Sequence, residues 1–503
     1  MYLDPNDRTL LHVNQLLSSS QSRRASSNAL LFVVCLAQFM VILDIAIVNV
    51  ALPSMGSALH FSTSGLQWVV NAYTITFAGF LMLGGRCADL LGRRRVFLTG
   101  TVLFSLCSLA CSVAESRGLL IGARALQGLG GAVLSPATLS IITSSLPEGP
   151  ERNRGLAAWG AVGALGGSSG ALLGGLLTQT FGWPAIFAVN VPVGALVVVL
   201  ALRLLPRDVR SDAPRHFDVT GALLITLGLV SISYGIVRTD TLGWGSLSVL
   251  GPLAVGIALV AAFVLVEARF ARAPLVPLSI FRIGQLRAAN GVVVLLYAAV
   301  FPQWFFLTLY MQRILHYDAI VTGLGFMPMT MSVFAGSTAA PRLVARFGPR
   351  GVITAGMATA TVGDLLLTGI APGGSYFGNV LVGGVLAALG MGCSLVPATI
   401  VAMQGVPRHQ SGLASGLLNT SRLIGGALGL AILSTIATAQ AHGALPSPGV
   451  VTNGYDVALT VGGGILIAGV VIAGLLLRPR VARELEPTEE AADESEQPDL
   501  LAA

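Results

Sequence analysis

Gly84-Gly85-Arg86-Cys87-Ala88-Asp89-Leu90-Leu91-Gly92-Arg93-Arg94-Arg95-Val96-Phe97 decides how the rest of the chain is read. Long apolar runs near 66–85 and 96–114 flank it, so this charged stretch is a tight turn between two membrane spans at one face of the bilayer. Gly85 and Gly92 allow the backbone to bend sharply or to approach a neighbour closely. Asp89 stands four residues before Arg93, and Arg86 and Arg94 crowd the same turn, so an acid and several bases are placed to pair. An ordinary cationic loop would account for the arginines but not for Asp89 or the glycines. The spacing predicts a charged latch on a hydrophobic machine.

Composition agrees with that setting. Of the 503 residues 54% are hydrophobic and only 10% charged, against roughly 25% charged in soluble domains. The chain is therefore an all-α polytopic membrane protein. About 20 apolar residues are needed per crossing. Fourteen stretches meet that length, near 28–52, 66–85, 96–114, 118–143, 155–178, 185–205, 218–237, 247–267, 288–311, 321–343, 351–370, 376–401, 412–438 and 456–477. A twelve-span reading would demote 218–237 and 247–267, but their length argues for two crossings.

Arginine placement gives the orientation, since all 29 cationic side chains are arginine. With the N-terminus inside, 24 arginines fall on inner segments and three on outer ones, while Arg124 and Arg422 lie within spans. The expected organisation is a polar leader (1–27), a six-helix half (28–205), two extra helices with linkers (206–287), a second six-helix half (288–477) and an acidic tail (478–503). Residues 484–499 of that tail carry eight acids and no base. Shifting the charged turn by 256 residues lands on Pro341–Arg350: Gly92 falls on Gly348, Arg94 on Arg350 and Asp89 on Ala345. Such a degenerate copy is expected of a duplicated transporter half. Five cysteines lie in or beside apolar runs; nothing completes a metal site around Cys107 and Cys111, and buried free thiols are expected. There is no nucleophile elbow or phosphate loop, and no extramembrane segment is long enough for a domain, so an enzyme is not expected.

Several motifs carry a family resemblance. Gly85 to Arg94 matches G-x-x-x-D-x-x-G-R-R in full and resembles the signature loop between the second and third helices of the major facilitator superfamily. Leu43–Pro53 resembles the L-D-x-T-I-V-N-V-A-L-P motif of fourteen-span drug exporters, with Ala46 in place of Thr. Arg124-Ala125-Leu126-Gln127-Gly128-Leu129-Gly130 resembles that family's R-x-x-Q-G-x-G of the fourth span. Gly166, Gly170 and Gly174 recur every four residues, with Gly175 following, a smooth face for close helix packing. That stretch is similar to the antiporter motif ending G-P-x-x-G-G, although Ala171 replaces the proline. Phe181–Pro192 is close to F-G-W-R-W-I-F-x-x-N-x-P, and Ser415–Gly426, containing Arg422, matches a pattern of the fourteen-span exporters.

The resemblance implies the major facilitator fold: two six-helix halves plus two extra central transmembrane helices, similar to drug:proton antiporters of the EmrB/QacA type. It further implies alternating access and proton-driven export of a lipophilic small-molecule drug, such as an antibiotic, across the plasma membrane, with both termini cytoplasmic. No cofactor beyond the proton motive force and no nucleic-acid partner are expected. The lipid bilayer is the setting, and a monomer is expected. A proton symporter or uniporter importing a small nutrient on the same fold stays open as the alternative.

Charges inside spans cost about 2.5–3.5 kcal/mol each on insertion scales, so the few present are functional candidates. Asp44, Arg124 and Asp364 are the proton-coupling candidates. The resemblance makes the first and fourth helices neighbours, so that a movable Arg124 would switch the proton affinity of Asp44. Gly85, Arg86, Asp89, Gly92, Arg93 and Arg94 form the gating loop; Gly166, Gly170, Gly174 and Gly175 form the packing face. Asn49, Gln127, Gln303, Trp304, Tyr310, Asn419 and Arg422 are candidates for a substrate pocket, with lipid-facing aromatics as the plain alternative.

Overall fold

The structure, a computed structural model, describes residues 5–147, 150–206, 208, 218–271, 274–282, 285–404, 406, 411–439 and 447–477. No strand occurs among them. In chain order the α-helices are α1 (Pro5–Ala58), α2 (Thr63–Leu91), α3 (Arg93–Ser112), α4 (Arg117–Ser145), α5 (Pro150–Phe181), the short α6 (Ala185–Ala188), α7 (Asn190–Leu204), α8 (Val219–Leu242) and α9 (Leu247–Leu265). They continue as α10 (Leu286–Leu309), α11 (Ala319–Leu366), α12 (Val382–Met403), α13 (Ser411–Ala439) and α14 (Pro448–Leu476). Among the described residues twelve helical stretches are long and apolar enough to cross a membrane, α6 and α7 forming one of them. One of the twelve, containing α11, breaks at Gly348, where φ is +73°. Counting its two parts separately and adding the 32-residue α5 brings the long rods to fourteen. Residues 478–503, which include the acidic tail, lie outside the described residues.

Two of the positive-φ breaks are related. Gly92 (φ +103°) separates α2 from α3, and Gly348 divides α11 256 residues later. Both positions need a backbone that side chains resist, which only glycine adopts without cost. The internal repeat is thus a repeat of helix–break–helix geometry at one end of the bundle.

Within the first half α1 lies along α5, while α4 packs against α2 and α3; in the second, α11 folds onto α12, and α10 packs against α13 and α14. The halves meet where α2 faces α13 and where α5 faces the first part of α11. Small residues set these crossings, as expected where lipid removes the hydrophobic drive between helices. A Cβ on Gly128 would run into the Tyr73 carbonyl, and one on Gly363 into the Ala387 backbone. Many outward side chains are large and apolar, among them Leu106, Ile257 and Leu475.

The extra pair is central in sequence but flanking in space. Helix α8 packs on α2 and α13, with Ile75, Leu229 and Ala427 forming a small core, and Thr435 of α13 donates to the Ile236 carbonyl at 3.3 Å. Helix α9 packs on α8 through Gly228, Gly235 and Gly256 and leaves most of its surface exposed.

Candidate functional site

Asp44 and Arg124 meet in a fully buried ion pair, Arg124 Nη1 to Asp44 Oδ2 at 2.6 Å, with side-chain exposures of 0% and 1%. The pair does not stand alone. Arg124 Nε donates to the Val69 carbonyl of α2 at 3.0 Å, and Nη1 also donates to Gln127 Oε1 at 2.7 Å. The Gln127 amide donates onward to Asp44 Oδ1 at 2.8 Å and to Ser108 Oγ of α3 at 2.6 Å. Asn190, the first residue of α7, donates to the same Asp44 Oδ1 at 2.9 Å. The Tyr73 and Phe187 rings cover the guanidinium, at 4.3 Å and 5.5 Å from its carbon.

Each partner is delivered by local sequence. Ser116 caps α4, so Arg124 and Gln127, three residues apart, fall on one face of that helix. Phe187 is presented by the single turn α6, whose packing starts α7 with Asn190 pointing inward. The result joins side chains of α1, α3, α4 and α7 and a carbonyl of α2 in one water-poor cluster. A buried carboxylate and guanidinium are tolerable only with such a set of partners. Ser108 and Asn190 were not among the residues singled out from sequence. Asn190 did carry a signal, as a polar residue in an apolar run within a recognisable motif.

The glycine face of α5 lies against the α1 segment that carries Asp44. A Cβ on Gly166 would approach Ile42 at 3.1 Å, one on Gly170 would strike Ala46, and one on Gly174 would come within 2.7 Å of the Ile47 carbonyl. Gly175 turns the other way and abuts the Ala319 carbonyl of α11, so α5 touches both halves.

In the charged turn, Gly92 is the break. Asp208, beyond α7, occupies the space beside it and accepts from the backbone N–H groups of Arg94 at 2.9 Å and Arg95 at 3.0 Å. Arg94 Nη2 donates to the Leu202 carbonyl at 2.6 Å. The close approach of α2 to α4 is made at Gly84, where Ala132 intervenes; Gly85 has ordinary room, with Pro136 Cβ at 3.6 Å. Arg86 is exposed, Arg93 starts α3, and the side chain of Asp89 lies outside the described residues.

These features can be set beside known proteins. The profile of the Major Facilitator Superfamily matches residues 34–430 and 289–501. The chain belongs to the major facilitator superfamily. Among relatives of this facilitator is the cephamycin export protein CmcT of Amycolatopsis lactamdurans, 40% identical over 93% of this chain and 95% of that one. Another is the puromycin resistance protein pur8 of Streptomyces alboniger, 38% identical over 92% of each. In fold it resembles a bacterial homolog of the human lysosomal transporter Spinster (TM-score 0.62, 16% identity, covering 90% of this chain and 97% of that one). It also resembles the nucleoside transporter NupG (TM-score 0.60, 13% identity, covering 90% and 100%). The chain is thus a multi-pass membrane transporter and not an enzyme.

The second half of this facilitator holds the remaining candidates. Asp364 is 1% exposed, beside Gly462 of α14, and neither carboxyl oxygen has a hydrogen-bond partner among the described residues. Trp304 stacks on Phe326 with centroids 4.9 Å apart, and Tyr310 donates to the Ala371 carbonyl at 2.9 Å. Arg422 donates to Asn419 at 3.0 Å and lies over the Tyr297 ring, while Gln303 Oε1 is buried without a hydrogen-bond partner among the described residues. Asn49 is half-buried on α1, and Gln127 is spent in the Asp44 cluster. Of the seven pocket candidates, Asn419 and Arg422 are the two joined by a hydrogen bond among the described residues.

At the end opposite the charged turn the halves are stitched together. Gln312 donates to the Val50 carbonyl at 2.7 Å, Gln179 donates to Asp318 at 3.3 Å, and the Ile320 N–H donates back to Gln179 at 3.1 Å.

Proposed function

We propose that this facilitator is a proton-coupled exporter that drives a lipophilic organic compound, an antibiotic among the candidates, out of the cell by alternating access. The buried Asp44–Arg124 pair is the observation that carries the reading. A carboxylate bonded to Arg124 and Gln127 of α4 and Asn190 of α7, which in turn reach α2 and α3, is a group whose neutralisation is felt by all of these helices. Protonating Asp44 removes the attraction to Arg124 and turns an acceptor oxygen into a donor, so the guanidinium keeps Val69, Gln127 and the aromatic faces but loses its counter-charge. Removing one partner of a buried pair costs about 3–5 kcal/mol. A proton arriving down a membrane potential contributes about 2.3 kcal/mol per 100 mV, before any pH difference. The magnitudes are comparable, which is what coupling needs.

The arginine asymmetry supports placing the charged turn and both termini on the cytoplasmic side of the plasma membrane, with fourteen crossings. The stitched seam at Gln312, Gln179 and Asp318 is then external, and this state is closed to the outside. The glycine contacts of α5 with Ala46 on one side and Ala319 on the other suit it to transmit a shift of α1 to that seam. Antibiotic export by the cephamycin exporter, at 40% identity along nearly the whole length, favours export over nutrient uptake. A single polypeptide supplies every part of this cycle, so a monomer suffices.

Uphill drug efflux from proteoliposomes with an imposed pH difference tests the reading. Asp44→Asn, fixed in the neutral form, is expected to abolish uphill efflux while allowing downhill exchange, and Asp44→Glu to retain part of it. Uphill pumping by Asp44→Asn with unchanged pH dependence would move the proton to Asp364, a buried acid whose carboxyl oxygens have no hydrogen-bond partner among the described residues.

A further inference from the structure

The two extra helices carry an arrangement that the transport cycle above does not use. Asp218 caps the start of α8, its Oδ1 accepting from the Gly221 N–H at 2.7 Å. Glu267 sits in the π-turn Val266–Phe270 that ends α9. Both are buried, at 8% and 5% exposure, and their carboxyl groups are within hydrogen-bonding reach of each other. A Cβ on Gly221 would lie 2.6 Å from Asp218 Oδ2 and 2.9 Å from Glu267 Oε1, so both oxygens converge on one point. Asp218 Oδ2 has no donor among the described residues. Glu267 in turn accepts from the N–H groups of Leu275 (to Oε1, 3.2 Å) and Val276 (to Oε2, 3.0 Å).

Two carboxylates in contact and out of water disfavour the doubly ionised state. Among the described residues no cation is paired with the two acids: Arg269 on the same turn, Arg282 and Arg287 on the segments that follow, and Arg86 at the end of α2 are all exposed. Asp218 is the ionisable group that bears on Glu267 among the described residues. A hard cation is a poor fit, because it wants six or more oxygens, whereas three of these four oxygens already take backbone N–H groups. A proton needs two.

We propose that Asp218 and Glu267 bind one shared proton between Asp218 Oδ2 and Glu267 Oε1, forming a proton site at the base of the extra helix pair. The site fastens a strap. Leu275, Val276 and Ile280 bury in the core of the second half with Leu286, Ala289 and Leu417, together with Ala222 of α8. The carboxyl pair therefore ties the start of α8, the end of α9 and the connection into α10 at one point. With the proton bound, the O–H···O bond holds the two elements together. As pH rises the proton leaves to water, the carboxylates repel, and the strap loosens. The sign follows: protection is present at low pH and lost as pH increases. This does not depend on Asp44 or on which compound is carried.

Hydrogen–deuterium exchange of the full-length protein in lipid, followed over 274–282 across the neutral pH range, tests the site. After correction for the intrinsic pH dependence of exchange, the wild-type Leu275 and Val276 amides are expected to lose protection in one step as pH rises. Asp218→Asn keeps an equally good helix cap and donates permanently to Glu267; its protection is expected to be flat. Glu267→Gln, whose amide donates to Asp218, gives the same flat profile should Asp218→Asn fail to fold. A flat wild-type profile, or the wild-type step persisting in a folded variant, overturns the proposal. A step that moves with added magnesium or calcium assigns a cation instead and overturns it as well.

Discussion

Asn190 Nδ2 lies 2.9 Å from Asp44 Oδ1, the oxygen that Gln127 also reaches, so helices from three parts of the first half share one carboxylate atom. Both donors fill lone pairs of a carboxylate oxygen that is out of reach of water. The second carboxyl oxygen is left to Arg124. Asp44 is thus held by a division of labour: neutral amides on one oxygen and a cation on the other.

Asn190→Ala removes one of the two amides and leaves the rest of the cluster in place. The loss of a buried hydrogen bond costs about 1–3 kcal/mol. The cluster that joins α1, α4 and α7 is then less well satisfied, so a lower melting temperature in detergent and slower proton-driven transport are expected together. Thermal melting and efflux from proteoliposomes read this; values equal to the wild type in both would remove Asn190 from the group that holds Asp44.

Gly170→Leu tests the packing face. The Ala46 side chain occupies the space a Cβ would need, and the Ile47 N–H lies 3.1 Å away, so the helices can only part. Overpacking costs about 1–3 kcal/mol where neighbours can shift and more where they cannot. Lower thermal stability and loss of efflux are expected together, whereas Gly167→Ala on the open side should change neither.

Asp208 and Gly92 form one device at the charged turn. Asp208→Ala uncaps α3, at a cost of about 1 kcal/mol, seen as a lower melting temperature in detergent. Gly92→Ala forces a side chain onto a positive φ and into Asp208, and is expected to be worse. Equal melting of Asp208→Ala and wild type would show that the cap contributes nothing.

Asp318→Ala acts on the stitched seam. It removes the acceptor for Gln179 and also the cap of α11, where Asp318 Oδ1 accepts from the Val321 N–H at 2.7 Å. Asp318→Asn keeps a cap and weakens only the charge on the seam. Both are expected to raise labelling of a cysteine placed at Gln312 by a membrane-impermeant reagent, Asp318→Ala more than Asp318→Asn. Unchanged labelling in both would show that the seam is held elsewhere.

Much of this molecule is determined by local sequence. Apolar run length and the cost of buried charge mark out the helices and single out Asp44, Arg124 and Asp364, because both depend on a residue and its near neighbours. The glycine pair 256 residues apart is legible for the same reason, since φ > 0 is a single-residue property. What only the tertiary structure decides is pairing: Asn190 and Ser108 on Asp44 and Gln127, Asp208 on a helix start 114 residues away, Asp218 on Glu267, and the placing of α8 and α9 on the flank. Those contacts depend on how far each helix is rotated and how closely its neighbours approach. That is set by small residues such as Gly128, Gly170 and Gly228 meeting particular partners across the bundle, which no one-dimensional pattern specifies.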